Sequence, residues 1–138
     1  MFKLLTLALA SLLPITASAS ILTEPLPSGL AFQVDLERQD DHTLVVNFEM
    51  PQGYYLYQKR LTFLDTAGFE VSDIQITGLK QITDPELGVE DVLDSASHVV
   101  LQGNASAAGQ PITVRVKLQG CLKGVLCYPP EVRSLQVH

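Results

Sequence analysis

The sequence predicts an all-β protein folded as a two-sheet β-sandwich, and three observations carry that prediction. Apolar residues recur at every second position in several short runs, the pattern of half-buried strands. Clusters of Gly, Pro, Asn and Asp separate those runs. No stretch after the first nineteen residues carries an apolar stripe at helical spacing. Seven to nine short strands are expected, with no internal repeat and no domain boundary, and that number suits two packed sheets.

Residues 1–19 stand outside the pattern. Lys3 gives a positive start, Leu4 to Leu13 is an apolar run, and Ala17-Ser18-Ala19 is a small-x-small cleavage site, together a secretory signal peptide. Pro14 interrupts the apolar run, which is shorter than the ~20 residues needed to span a bilayer. Export with cleavage near Ala19 is therefore expected, leaving one domain over 20–138 with no membrane-spanning segment. That length buries a single core without metal or multiple disulfides. The mature part carries eight basic residues against fifteen acidic ones, a net charge of −7, and has no basic stripe. Such a surface repels phosphate backbones, which excludes nucleic acid as a partner.

The strands follow in order. After an extended lead-in containing Pro25 and Pro27, Leu30, Phe32, Val34 and Leu36 alternate with polar residues. Asp40-Asp41 makes a turn, and Leu44, Val46, Phe48 and Met50 form the next inward face. In Gly53-Tyr54-Tyr55-Leu56-Tyr57, an extended backbone puts Tyr54 and Leu56 on one face and Tyr55 and Tyr57 on the other. Leu61 and Phe63 then resume with changed parity, so a bulge or bend is expected near Lys59-Arg60. Phe69 to Thr77 alternates with a phase break between Val71 and Ile74. Lys80 to Asp94 does not alternate, and its Asp84-Pro85-Glu86-Leu87-Gly88 and Glu90-Asp91 read as a long acidic loop. Ser97 to Gln102 is a short strand. Ile112, Val114, Val116 and Leu118 alternate cleanly, and Glu131 to Val137 closes the chain with one phase break.

The chemistry-bearing stretch is Gly120-Cys121-Leu122-Lys123-Gly124-Val125-Leu126-Cys127-Tyr128-Pro129-Pro130, which holds both cysteines of the chain. In an oxidising compartment such a pair can close as a disulfide across a tight hairpin. A bridge around about seven residues contributes roughly 2–2.5 kcal/mol, near the low end for disulfides, so it is a poor staple for a sandwich. Continuing the alternation of residues 112–118 puts Cys121 on the polar side, away from the core. Two readings stand side by side here: a thiol–disulfide exchange site, or a structural disulfide in a binding or assembly module. Zinc would need two further ligands, and His42, His98 and His138 have no metal-ligand spacing. Neither a metal nor a cofactor is expected. There is no C-x-x-C motif backed by a helix, as thioredoxin sites require.

Gln119-Gly120-Cys121 with Cys127-Tyr128-Pro129-Pro130-Glu131, preceded by Gly53-Tyr54-Tyr55-Leu56-Tyr57, resembles the N-terminal periplasmic domain family of the DsbD thiol:disulfide interchange proteins. The resemblance runs from about Gly29 to the end. It implies an immunoglobulin-like sandwich with an active-site disulfide in a hairpin. By motif match, Cys121 and Cys127 are the redox pair, Cys127 forming the mixed disulfide and Cys121 resolving it. Tyr55 and Tyr57 match tyrosines that line the family's site, and Asp84 matches an acidic residue that assists proton transfer. Three positions depart from the family pattern. The aromatic of the capping loop is missing from Asp84-Pro85-Glu86-Leu87-Gly88, Lys123 stands where an acid is usual, and Gly124 falls one position early.

The function this implies is periplasmic. Reducing equivalents are expected to come from a thioredoxin-like donor domain or a membrane thiol reductase. They are expected to pass to a periplasmic disulfide isomerase or a cytochrome c maturation thioredoxin. Since DsbD continues into further domains and this chain ends one strand after the cysteines, a free-standing exchange protein supplied by a separate donor is expected.

Overall fold

The computed structural model describes residues 24–138. The signal peptide expected at 1–19 lies outside the described residues. One helical turn, α1 (Ser28–Ala31), precedes twelve strands: β1 (Gln33–Asp40), β2 (Thr43–Glu49), β3 (Tyr54–Tyr57), β4 (Thr62–Ala67), β5 (Phe69–Thr77), β6 (Lys80–Asp84), β7 (Gly88–Leu93), β8 (His98–Ala105), β9 (Ile112–Leu118), β10 (Gly120–Leu122), β11 (Leu126–Cys127) and β12 (Glu131–Val137). All pairings are antiparallel. One sheet runs β1-β2-β8-β5. Two further ladders, β11-β10-β3-β7-β6 and β12-β9-β4, are continuous with each other through the chain at Gln119. The fold is thus the expected all-β, immunoglobulin-like two-sheet sandwich, with one layer divided into two ladders.

The core forms where the alternating faces meet. Leu44, Val46, Val99 and Leu101 of the first sheet share one buried cluster with Ile112, Val114, Val116 and Leu118 of β9 and Leu56 and Leu93 of the divided layer. Each of these is at most 1% exposed. Burying a side chain of this size stabilises by about 1.5–3 kcal/mol, so the pattern read from 44–50 and 112–118 locates the main stabilising layer. The expected phase break in residues 69–77 is a register shift between Val71 and Asp73. The expected bend at Lys59-Arg60 is a turn of 3-10 helix over Gln58–Arg60.

Three expectations change. Leu30 does not begin a strand: the amides of Leu30 and Ala31 both donate to the Pro27 carbonyl, closing a helical turn that leaves Leu30 54% exposed. The twelve strands exceed the expected seven to nine, because the ladder that carries the cysteines is built from five short strands of two to six residues. The acidic segment 80–94 is not a loop but the hairpin β6–β7, joined to the sheet through β3. Its alternation is hidden because β6 is an edge strand with one apolar side chain, Ile82, and because an acid, Glu90, occupies an inward position of β7 at 7% exposure. Lys59 offsets that burial, with its ammonium 3.2 Å from the Glu90 carboxylate. Among the described residues no helix is long and apolar enough to cross a membrane.

Candidate functional site

The site is built on one face of the β11-β10-β3-β7-β6 ladder. Directly opposed residues of an antiparallel pair share a face. Cys121 opposes Cys127 on one side and Tyr55 on the other, and Tyr57 opposes Val92. In the β6–β7 pair, Ile82 opposes Glu90 and Asp84 opposes Gly88. Register alone therefore lines up Cys127, Cys121, Tyr55, Tyr57, Val92, Ile82 and Asp84. The opposite face of β3, carrying Tyr54 and Leu56, joins the main core.

Cys121 lies away from the main core, as its register predicts, but it does not face solvent. It is 1% exposed, packed in a second cluster with Tyr55, Tyr57 and Val92. The polar side of this strand is roofed by tyrosines and by the hairpin that the sequence hid. Cys127 is exposed. The two form a disulfide with their Cα atoms 4.0 Å apart. A three-residue turn, Lys123-Gly124-Val125, joins their strands, and Gly124 supplies its positive φ of 71°. Gly120, just before Cys121, has no room for a side chain, since a Cβ there would lie 2.4 Å from the Tyr55 carbonyl and 2.6 Å from the Phe32 ring.

Tyr57 is the polar centre of the site. Its hydroxyl donates to Asp84 Oδ2 at 2.9 Å, and its oxygen lies 3.4 Å from Cys121 Sγ and 4.0 Å from Cys127 Sγ. The Tyr55 ring meets it edge to face, with centroids 5.4 Å apart. Burial, with hydrogen bonding to Tyr55 and Asp84, pushes the Tyr57 phenol well above its ordinary value, so it stays protonated. Asp84 is held in the other direction. The Leu87 amide and then the Glu86 amide donate to Oδ1, and with the Tyr57 hydroxyl they lower its carboxyl below the ordinary value. At neutral pH the pair is a phenol donor on a carboxylate. Asp84 lines the same cleft as the disulfide and reaches Cys121 Sγ through Tyr57.

A cleft of about 470 Å³ opens over the disulfide. One wall is the cysteine hairpin from Cys121 to Cys127, the other the tip of β6–β7, including Thr83, Asp84, Pro85 and Glu86. Leu87 is 48% exposed and does not line the cleft. The structure thus brings together all five residues singled out in the sequence: Cys121, Cys127, Tyr55, Tyr57 and Asp84. Sequence reasoning missed Ile82 and Val92, which wall the second cluster, and Arg60, whose guanidinium sits 5.7 Å from the Tyr57 ring centroid. The parity change after Tyr57 marked the bend that places Arg60. No sequence pattern marked Ile82.

Tyr128 fixes the chain leaving Cys127. Its ring meets Phe32 edge to face at 5.1 Å, and its hydroxyl donates to the Leu26 carbonyl. The Leu26 amide in turn donates to the Tyr54 hydroxyl at 2.8 Å. Cys127 is therefore an exposed sulfur on a strand whose next residue is tied to the core. Among the described residues no group of three or more His, Cys, Asp or Glu is placed to hold a metal ion.

Residues 23–138 match the family model described as the thiol:disulfide interchange protein DsbD, N-terminal. DsbD 1 of Pseudomonas aeruginosa is 33% identical over 108 residues, which cover 78% of this chain and 18% of that protein. DsbD 2 of the same organism is 36% identical over 117 residues, covering 83% of this chain and 18% of that protein. The matched stretch is thus under a fifth of the length of these relatives. Among solved structures, the reduced N-terminal domain of Neisseria meningitidis DsbD superimposes with a TM-score of 0.63 at 26% identity, covering 81% of this chain and 88% of that one. The fold is also that of the DsbD N-terminal domain solved in complex with the PilB N-terminal domain from the same organism, with a TM-score of 0.63 at 24% identity, covering 80% of this chain and 85% of that one.

Proposed function

This chain belongs to the family of the N-terminal domain of the thiol:disulfide interchange protein DsbD, and on that premise we propose that it is a periplasmic thiol–disulfide exchange domain working through Cys121 and Cys127. The single observation that carries the reading is the asymmetry of one cross-strand disulfide. Cys127 is exposed at the cleft while Cys121 is buried against the Tyr57 hydroxyl. Exchange needs one accessible sulfur to be attacked and one leaving thiolate that is stabilised.

Reduction of the domain begins when a donor thiolate attacks Cys127 Sγ. The Cys121–Cys127 bond breaks, its electron pair leaves on Cys121, and a mixed disulfide forms on Cys127. Tyr57, kept protonated by its surroundings, turns its hydroxyl hydrogen from Asp84 toward the new Cys121 thiolate. The donor's second thiolate then attacks the donor's first sulfur, releasing Cys127 as a thiolate and leaving the donor oxidised. Two electrons enter the domain, and solvent supplies the two protons that the dithiol takes up. Delivery runs the same path backwards. Cys127 attacks an oxidised partner's disulfide, Cys121 attacks Cys127 Sγ, and the partner leaves as a dithiol.

The donor in this reading is a thioredoxin-like domain or a membrane thiol reductase. The recipients are thioredoxin-fold periplasmic proteins, such as a disulfide isomerase or a cytochrome c maturation thioredoxin. The Neisseria DsbD domain forms a complex with the PilB N-terminal domain. In this chain the cleft is the place proposed to receive a protein partner, with Glu86 on one wall and Lys123 on the other.

Equilibration with a thioredoxin-like dithiol, followed by thiol labelling, tests the proposal. The expected result is reversible reduction with turnover. A potential below about −300 mV with no turnover by the donor would assign the bridge to structure instead and leave a non-catalytic binding or assembly module.

A further inference from the structure

From the hydrogen bonds around Gln119 we propose that this residue, oriented by Arg60, is a positioning residue that holds Cys127 within reach of Cys121 whenever the disulfide is open. The inference rests on the exchange reading above and adds a part to it. Gln119 lies between β9 and β10, where the chain passes from one ladder to the next. Three bonds meet on it. Its backbone carbonyl accepts from the Tyr57 amide at 3.1 Å. Its side-chain Oε1 accepts from Arg60 Nη1 at 2.6 Å, and its Nε2 donates to the Tyr128 carbonyl at 3.2 Å.

The orientation of the amide is dictated rather than free. A guanidinium has only donors, so Arg60 takes the oxygen end and turns the nitrogen toward Tyr128. The same guanidinium covers the Tyr57 ring. Arg60 and Gln119 thus join the strand bearing Tyr57, the strand entering Cys121 and the strand leaving Cys127.

While the sulfurs are bonded, covalency keeps β11 against β10. When they are not, the Tyr128 ring and hydroxyl still anchor the chain to Phe32 and Leu26, and the ties that hold it to the Cys121 strand are the two-residue β10–β11 ladder, the bond from the Tyr128 amide to the Gly120 carbonyl at 2.9 Å, and the Gln119 side chain. A two-residue strand frays readily. A tie on the residue after Cys127 raises the local concentration of the resolving thiolate at the mixed disulfide. Its effect therefore falls on the second, intramolecular step. The first attack at Cys127 needs only exposure.

The test uses the reduced protein and a symmetrical aromatic disulfide that releases a coloured thiolate. Cys127 releases the first coloured thiolate as it forms a mixed disulfide with the reagent. Cys121 then releases the second by attacking Cys127 Sγ, so each cysteine gives up one electron and the reagent takes two. Gln119→Glu keeps the Arg60 contact but loses the donor to Tyr128. The second phase is expected to slow about five- to tenfold, as for one lost hydrogen bond, with the first phase unchanged. Gln119→Met, of similar length and without either bond, should behave the same way and guards against an effect of the new charge. Arg60→Met leaves the amide unoriented and should slow the second phase less. The potential of Gln119→Glu should rise by about 20–30 mV, the same factor expressed for a two-electron couple.

Equal slowing of both phases, or no slowing in either Gln119 variant, overturns the inference. If the wild-type disulfide is inert to a thioredoxin-like dithiol, the exchange reading itself fails, and this positioning role fails with it. Wild-type turnover with unchanged variants leaves the exchange reading intact and removes only Gln119.

Discussion

The two faces of β3 do different work with the same kind of residue. All four residues from Tyr54 to Tyr57 are buried, at 8% exposure or less. Tyr54 and Leu56 face the main core, and the Tyr54 hydroxyl is used structurally, accepting from the Leu26 backbone amide. Tyr55 and Tyr57 face the second cluster, and the Tyr57 hydroxyl is aimed at a carboxylate and two sulfurs. Burial alone does not separate the two roles; the partner of the phenol does. The Tyr54 oxygen meets backbone and is a satisfied polar tip on a packed ring, whereas the Tyr57 oxygen meets a carboxylate and the disulfide, which is the arrangement the proposed exchange role draws on.

Substitutions on the two faces should therefore separate stability from exchange. The largest effect is expected from Leu56→Ala. Truncating a fully buried leucine costs about 2–5 kcal/mol, and denaturant unfolding should show that loss. Next comes the pair Tyr54→Phe and Tyr57→Phe. Tyr54→Phe leaves the Leu26 amide without its partner and should lower stability by about 1 kcal/mol, with exchange kinetics unchanged. Tyr57→Phe keeps the edge-to-face ring but removes the hydrogen-bond donor to the Cys121 thiolate. Donor-driven reduction should slow by about five- to tenfold, with a stability change of about 1 kcal/mol or less.

The smallest effect concerns Asp84. Its carboxyl titrates lower in the folded chain than its ordinary value of 3.8, so the stability it contributes is present above that pH and is lost as the pH falls through the folded value. The stability difference between wild type and Asp84→Asn should be constant at neutral pH and narrow below pH 3.8. A difference that widens in acid would contradict the sign of the shift.

Much of this was legible in the sequence, and where it was not the reasons are physical. Alternation found the core face of β9 and both faces of β3, because each of those strands keeps one set of neighbours along its length. It placed Cys121 on the correct side yet misjudged its surroundings. Periodicity reports which way a side chain points, not what covers it, and here Tyr55, Tyr57 and the β6–β7 hairpin supply the cover. That hairpin escaped notice because a strand at a sheet edge needs few apolar residues, and because Glu90, read as part of a solvated run, is buried by pairing with Lys59. Asp84 was singled out by resemblance. Its hydrogen bond to Tyr57 depends on the hairpin, a long-range contact that no local pattern encodes.

The central claim is that Cys127 is the sulfur partners meet and Cys121 the one that releases them. Trapping with a thioredoxin-like donor tests it most directly, comparing Cys121→Ala with Cys127→Ala under non-reducing conditions and mapping the linked cysteine. The account predicts a long-lived mixed disulfide through Cys127 in Cys121→Ala and little or none in Cys127→Ala, whose remaining sulfur is buried. Stable adducts formed through Cys121 alone would contradict it.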